Sequence, residues 1–218
     1  MREKQLVRGQ IILQRLEQHE IPSGLRALVR DFRDAQNRLV LAMSGVETAK
    51  QNAAEALEAV HNADAALDRG VKMLAARMVG AEMGPASNPF THFSRYTPAQ
   101  MQRLGYATEV KEVRKLAARI RRRKPPTEVE RAIDTCLDLA RNVENALSEL
   151  AQPQARQQRA LQARESATRE WQQQLQRLRL HAAAAWANEP SVFRALFAPP
   201  PSVVRPSRGP RKRRRATP

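Results

Sequence analysis

A seven-residue repeat runs unbroken from Leu25 to Leu74 and constrains this chain more than any other feature. One row of it reads Leu25, Phe32, Leu39, Val46, Ala53, Val60, Leu67 and Leu74, and the row three residues on reads Leu28, Ala35, Ala42, Ala49, Ala56, Ala63 and Gly70. Apolar positions that alternate by three and four form the seam of a helix lying along another helix. Six of the seven residues in the second row are Ala or Gly, so a partner helix can come close along that line.

Composition agrees with long helices. Among 218 residues there are only eight Gly, and aromatic residues make up 4%. Ala, Leu, Gln, Arg and Glu dominate, which excludes a sheet protein and predicts an all-α fold. The length suits one domain, or one long helical body with a tail. The single Cys136 excludes an intramolecular disulfide framework and falls on an apolar seam, as a small buried hydrophobe does.

The first twenty residues have an apolar core of only Ile11, Ile12 and Leu13, too short for a secretory segment or a membrane span. Glu3, Glu17 and Glu20 among the basic residues also depart from an organelle transit peptide. The segment reads as a short amphipathic helix using Leu6, Leu13 and Leu16. The expected location is intracellular, either cytoplasm or nucleoid for a bacterial chain and the nucleus for a eukaryotic or viral one, with no transmembrane segment.

Turn signals divide the chain. A first helix is predicted over about residues 3–20, ending before Pro22, which pushes Ile21 out of helical geometry. Ser23 is placed to cap a long helix over 24–83 that stops before Gly84 and Pro85, with Gly45 as a candidate bend. Residues 84–97, GPASNPFTHFSRYT, form a loop carrying Phe90, Phe93 and Tyr96, with Tyr106 close behind. Rings in such a loop either dock a protein partner or fold back to cap the end of a bundle.

Thr97 and Pro98 are the N-cap and first residue of a helix over 98–124, ended by Pro125 and Pro126. Thr127 and Glu130 spell a capping box for a last helix over 128–189. Its seam runs through Val129, Ile133, Cys136, Ala140, Val143, Leu147 and Leu150 and lapses at Pro153, Gln154 and Gln157. It resumes in phase at Leu161, Trp171, Leu175, Leu178, Ala182 and Ala185, as one helix kinked at Pro153 would. Two helices of matched length predict a long antiparallel helical hairpin, a helical bundle with coiled-coil-like packing over residues 1–198. A parallel dimeric coiled coil is the alternative. Residues 199–218, PPPSVVRPSRGPRKRRRATP, are predicted to be a disordered basic tail.

Charge is concentrated in two segments. Of the net +16, residues 111–124 supply +7, eight cations against Glu112, and residues 199–218 supply another +7 with no acid, so the body is nearly neutral. Cations crowded in this way repel one another and call for an anionic partner or plain solvation.

No chemistry-bearing motif accompanies them. Glu58-Ala59-Val60-His61 has the spacing of a di-iron carboxylate helix, but no second Glu-x-x-His exists and Val60 on the seam turns Glu58 and His61 outward. His61, Asp64 and Asp68 line one helical face at spacings that could hold a metal, and are read as a solvated face. His19, His92 and His181 have no evident companions. There is no glycine-rich phosphate loop, Cys-x-x-Cys pair or nucleophile elbow, so no catalytic residue, metal or cofactor is expected.

The expected function is therefore a non-enzymatic helical scaffold or oligomerisation protein that binds nucleic acid without sequence specificity. The candidate cations are Arg205, Arg208, Arg211, Lys212, Arg213, Arg214 and Arg215 in the tail, and Arg119, Arg121, Arg122, Arg123 and Lys124 at a helix C-terminus. A helix C-terminus also favours cations on purely structural grounds. No aromatics interleave with the tail cations, so single-strand stacking is not implied. The alternative function is a protein-interaction adaptor using the helical surface and the aromatic loop 90–106, through Phe90, Phe93, Tyr96 and Tyr106. A third, less favoured, is a surface coat using amphipathic helices on a membrane or storage particle.

Overall fold

In a computed structural model describing residues 2–199, every regular element is helical: α1 (Arg2–Glu17), α2 (Arg26–Gly80), α3 (Pro98–Met101), α4 (Tyr106–Arg121), α5 (Thr127–Ala185) and α6 (Pro190–Phe197). The predicted disordered tail lies outside the described residues, apart from Pro199. No described helix is long and apolar enough to cross a membrane.

The heptad row explains α2. All eight of its residues, Leu25 to Leu74, are buried, and in the companion row Ala35 and Gly70 are buried too. Each large apolar side chain so buried contributes roughly 1.5–3 kcal/mol. The antiparallel partner is α5: Val60 packs with Ala146 and Leu150, Gly70 lies beside Cys136 and Leu139, and Arg77 pairs with Glu128. A Cβ on Gly70 would come within 2.7 Å of Leu139 Cδ1, so the close approach there needs glycine.

Helix ends depart from the sequence expectations in detail. Ser23 opens a short 3-10 turn, Ser23–Leu25, and makes no side-chain cap bond. The long helix closes three residues early: Met83 N–H donates to Met78 O at 2.9 Å and Glu82 N–H to Val79 O at 3.0 Å. Glu82 takes the left-handed conformation (φ 57°) that glycine usually occupies in this motif. The predicted helix over 98–124 is two, because the chain is extended at Gly105; Thr97 and Gln100 do form the capping box of α3. The box expected at Thr127 does not form, because the helix opens one residue earlier, with Val129 and Glu130 N–H both donating to Pro126 O at 3.0 Å, and the Glu130 carboxylate accepts from Arg121. α5 continues through Pro153, but no residue from Ala151 to Ser166 is buried. Ala185 is exposed and Trp186 takes the inward position. α6 was not predicted; Pro190 starts it and Leu196 and Phe197 are buried.

Contacts divide the chain into two compact units, to each of which α2 and α5 contribute. The first comprises the chain up to Met43 and from Ala163 onward. Ile12 and Leu16 of α1, Phe32 and Leu39 of α2, Trp171 and Leu178 of α5, and Leu196 and Phe197 of α6 form its core. Arg15 ties α1 to the end of α6, its Nη1 donating to Ala198 O at 2.8 Å. The second unit is Ser44–Gln162. There α4 lays Val110, Val113, Leu116 and Ile120 against Leu67, Leu74 and Met78 of α2 and Ile133, Cys136 and Ala140 of α5.

Candidate functional site

The second unit holds the basic turn, the aromatic segment and an acidic cluster. Five of the eight exposed positions of α4 are basic (Lys111, Arg114, Lys115, Arg119 and Arg121), and several of them have structural partners. Arg114 pairs with Glu144, Lys115 with Glu112 at 2.7 Å, and Arg121 with both Glu130 and Asp134. Hydrogen bonding to Glu130, foremost, raises the Arg121 pKa further above its usual value. Arg119 reaches inward, its Nη1 donating to Phe93 O at 2.8 Å.

Of the five cluster cations expected to bind an anion, Arg119 and Arg121 are thus engaged within the protein. Arg122, Arg123 and Lys124 are exposed and have no side-chain partner among the described residues. They sit where α4 ends, with Lys124 in a left-handed conformation (φ 50°) ahead of Pro125 and Pro126. The tail cations Arg205 to Arg215 lie outside the described residues.

The aromatic segment divides between core and surface. Phe90 is fully buried and Phe93 6% exposed, both packed in the apolar cluster of the second unit, so neither is available for docking. The loop folds back to cap that unit, as its composition also allowed. Tyr96 and Tyr106 stay half-buried; the Arg95 guanidinium stacks over the Tyr96 ring at 4.7 Å. The Tyr106 hydroxyl hydrogen-bonds His61 Nδ1 at 2.9 Å, which accounts for an otherwise exposed histidine. Cys136 is buried, and burial pushes its thiol up to about 12.

An acidic cluster was missed. Asp64 and Asp68, one turn apart on α2, are half-buried rather than solvated, because the first turn of α4 places Glu109 against them. Glu109 is only 1% exposed, and its carboxyl is within hydrogen-bonding reach of both aspartates. Among the described residues, neither Glu109 oxygen, nor Oδ1 of Asp64 or Asp68, meets a donor group.

Burial first, then Asp68 and Asp64, push the Glu109 carboxyl up to about 8; burial and Asp68 raise Asp64 as well. A carboxyl held this way keeps its proton at neutral pH, and that O–H supplies the donor the cluster otherwise lacks. Among the described residues, no group of three or more His, Cys, Asp or Glu side chains is arranged to hold a metal ion.

Fold and site together define an all-α protein of paired long helices with an exposed cationic turn. Comparison with protein-family models, curated proteins and solved structures finds no match to this chain.

Proposed function

We propose that the protein is a non-enzymatic helical scaffold that binds nucleic acid through its phosphate backbone, using the turn Arg122–Lys124 and the arginine-rich segment 205–215. The carrying observation is the turn: three consecutive cations stand exposed and unpaired among the described residues while their neighbours Arg119 and Arg121 are neutralised or tied down. The sequence of residues 205–215 adds seven cations and no acid. Arginine and lysine so presented neutralise phosphates and release counterions, with no dependence on base sequence. Self-association fits this reading as an oligomerisation scaffold, and a different protein partner belongs to the alternative reading as an adaptor, whose aromatic surface is reduced to Tyr96 and Tyr106.

The test is fluorescence-anisotropy titration of a short duplex across a salt series, with the full chain, a chain ending at Ala198, and the Arg122→Gln, Arg123→Gln, Lys124→Gln triple variant. The expected log-log salt slope is about −0.9 per phosphate contact. Truncation and the triple variant should each make it shallower. Equal, weak and salt-insensitive binding by all three proteins would remove nucleic acid from consideration.

A further inference from the structure

Among the described residues three polar or charged residues are buried, and two of them have conventional partners: Gln36 bonds Trp171 and Leu6, and Glu112 bonds Lys115. Glu109 has only other acids. We propose that Glu109, set against Asp64 and Asp68, forms a proton-operated latch that holds the start of α4 on α2, docked while its carboxyl keeps its proton and released when that proton passes to solvent.

Among the described residues, the group of opposite tendency that acts on the cluster is His61, and it acts on Asp64. On α2 the neighbouring titratable group is His61, whose ring is taken by Tyr106 of α4. Gln102, preceding α4, spends its amide on the Asp68 backbone carbonyl at 3.0 Å. On α5, Ala146, Leu147 and Leu150 pack near Val60 and Tyr106, and Glu144 is occupied by Arg114. The causes acting on the Glu109 carboxyl are burial and the two aspartates, all of which raise its pKa. When Glu109 ionises beside Asp64 and Asp68, His61 offsets repulsion only at Asp64, and separation of the two helices relieves the rest. Separation is feasible at this end of α4, because the chain leading into it at Gly105 is extended and exposed. The proposal is independent of the nucleic-acid reading.

Cys136 reports the release, because it lies in the apolar cluster that Val110, Val113 and Leu116 of α4 help to close. The experiment follows its labelling by a small neutral alkylating reagent in the full chain and in Glu109→Gln, from about pH 5 to about pH 9. Taking the ratio of the two rates cancels the ordinary rise of thiolate with pH. The ratio should be near one at the acid end and rise by about ten-fold or more at the alkaline end. A ratio that stays flat overturns the latch. Asp68→Asn covers the case in which Glu109→Gln does not fold: because Asp68 helps to raise the Glu109 pKa, the variant should show a smaller rise in labelling that levels off at lower pH, and an unchanged rise overturns the proposal equally.

Discussion

The indole N–H of Trp171 donates to Gln36 Oε1 at 2.6 Å, joining residues 135 positions apart in sequence. The same amide gives its Nε2 to Leu6 O at 3.0 Å, so one buried side chain links α1, α2 and α5 within the first unit. Gly9 makes room for it, since a Cβ there would lie 2.0 Å from Gln36 Oε1. Trp171→Phe, which leaves that oxygen without its donor, should cost about 1–3 kcal/mol. Gly9→Ala should also destabilise, by dislodging the amide. Urea unfolding followed by circular dichroism checks both; a Gly9→Ala midpoint equal to the parent's would show that the amide is dispensable.

Gly45 is the opposite case. It lies inside α2 with nothing within 4 Å of the position a Cβ would occupy. Gly45→Ala should therefore raise stability by about 1 kcal/mol, through helix propensity and a less flexible unfolded chain. A loss in the same urea assay would mean that the helix needs glycine there after all.

The aromatic segment should behave as core rather than as a docking surface. Phe90→Ala empties a fully buried site and is expected to cost about 3–5 kcal/mol. Arg122→Ala, at an exposed turn, should stay within about 0.5 kcal/mol of the parent. Thermal unfolding of the pair separates the two roles, and a Phe90→Ala protein as stable as Arg122→Ala would return Phe90 to the surface.

Stability should depend on pH through Glu109 in a defined direction. Its folded pKa of about 8 stands above the ordinary 4.5, so the folded chain holds the proton more tightly than the unfolded one. Its contribution is complete at pH values below 4.5, is lost progressively up to about 8, and changes no further beyond that. Glu112 runs the other way: Lys115 hydrogen-bonds its carboxylate and lowers its pKa, so that contribution is present at neutral pH and lost on acidification. The stability difference between Glu109→Gln and the parent should therefore grow from about pH 5 to about pH 8 and then level off, as read from urea midpoints. A difference independent of pH would contradict the proton kept by Glu109.

The long-helix framework was legible because a period-seven seam reports burial directly: each residue of the Leu25–Leu74 row is buried. Signals that needed a tertiary partner were not legible. Asp64 and Asp68 share a helical face, but only the docking of α4 brings Glu109 onto it, 41 residues beyond Asp68 in the chain. Arg119 and Arg121 look like their neighbours Arg122 and Arg123, and only the placement of Phe93, Glu130 and Asp134 sets them apart. For α6 a signal was present in the sequence: Pro190 at a first helical position, then Val192, Phe193, Leu196 and Phe197 on one face. The Pro-rich stretch just beyond obscured it.

Both tryptophans, Trp171 and Trp186, belong to the first unit, while Cys136, Tyr96 and Tyr106 belong to the second. The protein thus comes with its own pair of separate optical and chemical reporters. Indole emission excited at the red edge follows one unit, and thiol exposure follows the other. Coincident transitions would identify α2 and α5 as cooperative spans that melt as single pieces, whereas staggered ones would locate a break in cooperativity near the sparsely packed stretch from Ala151 to Ser166.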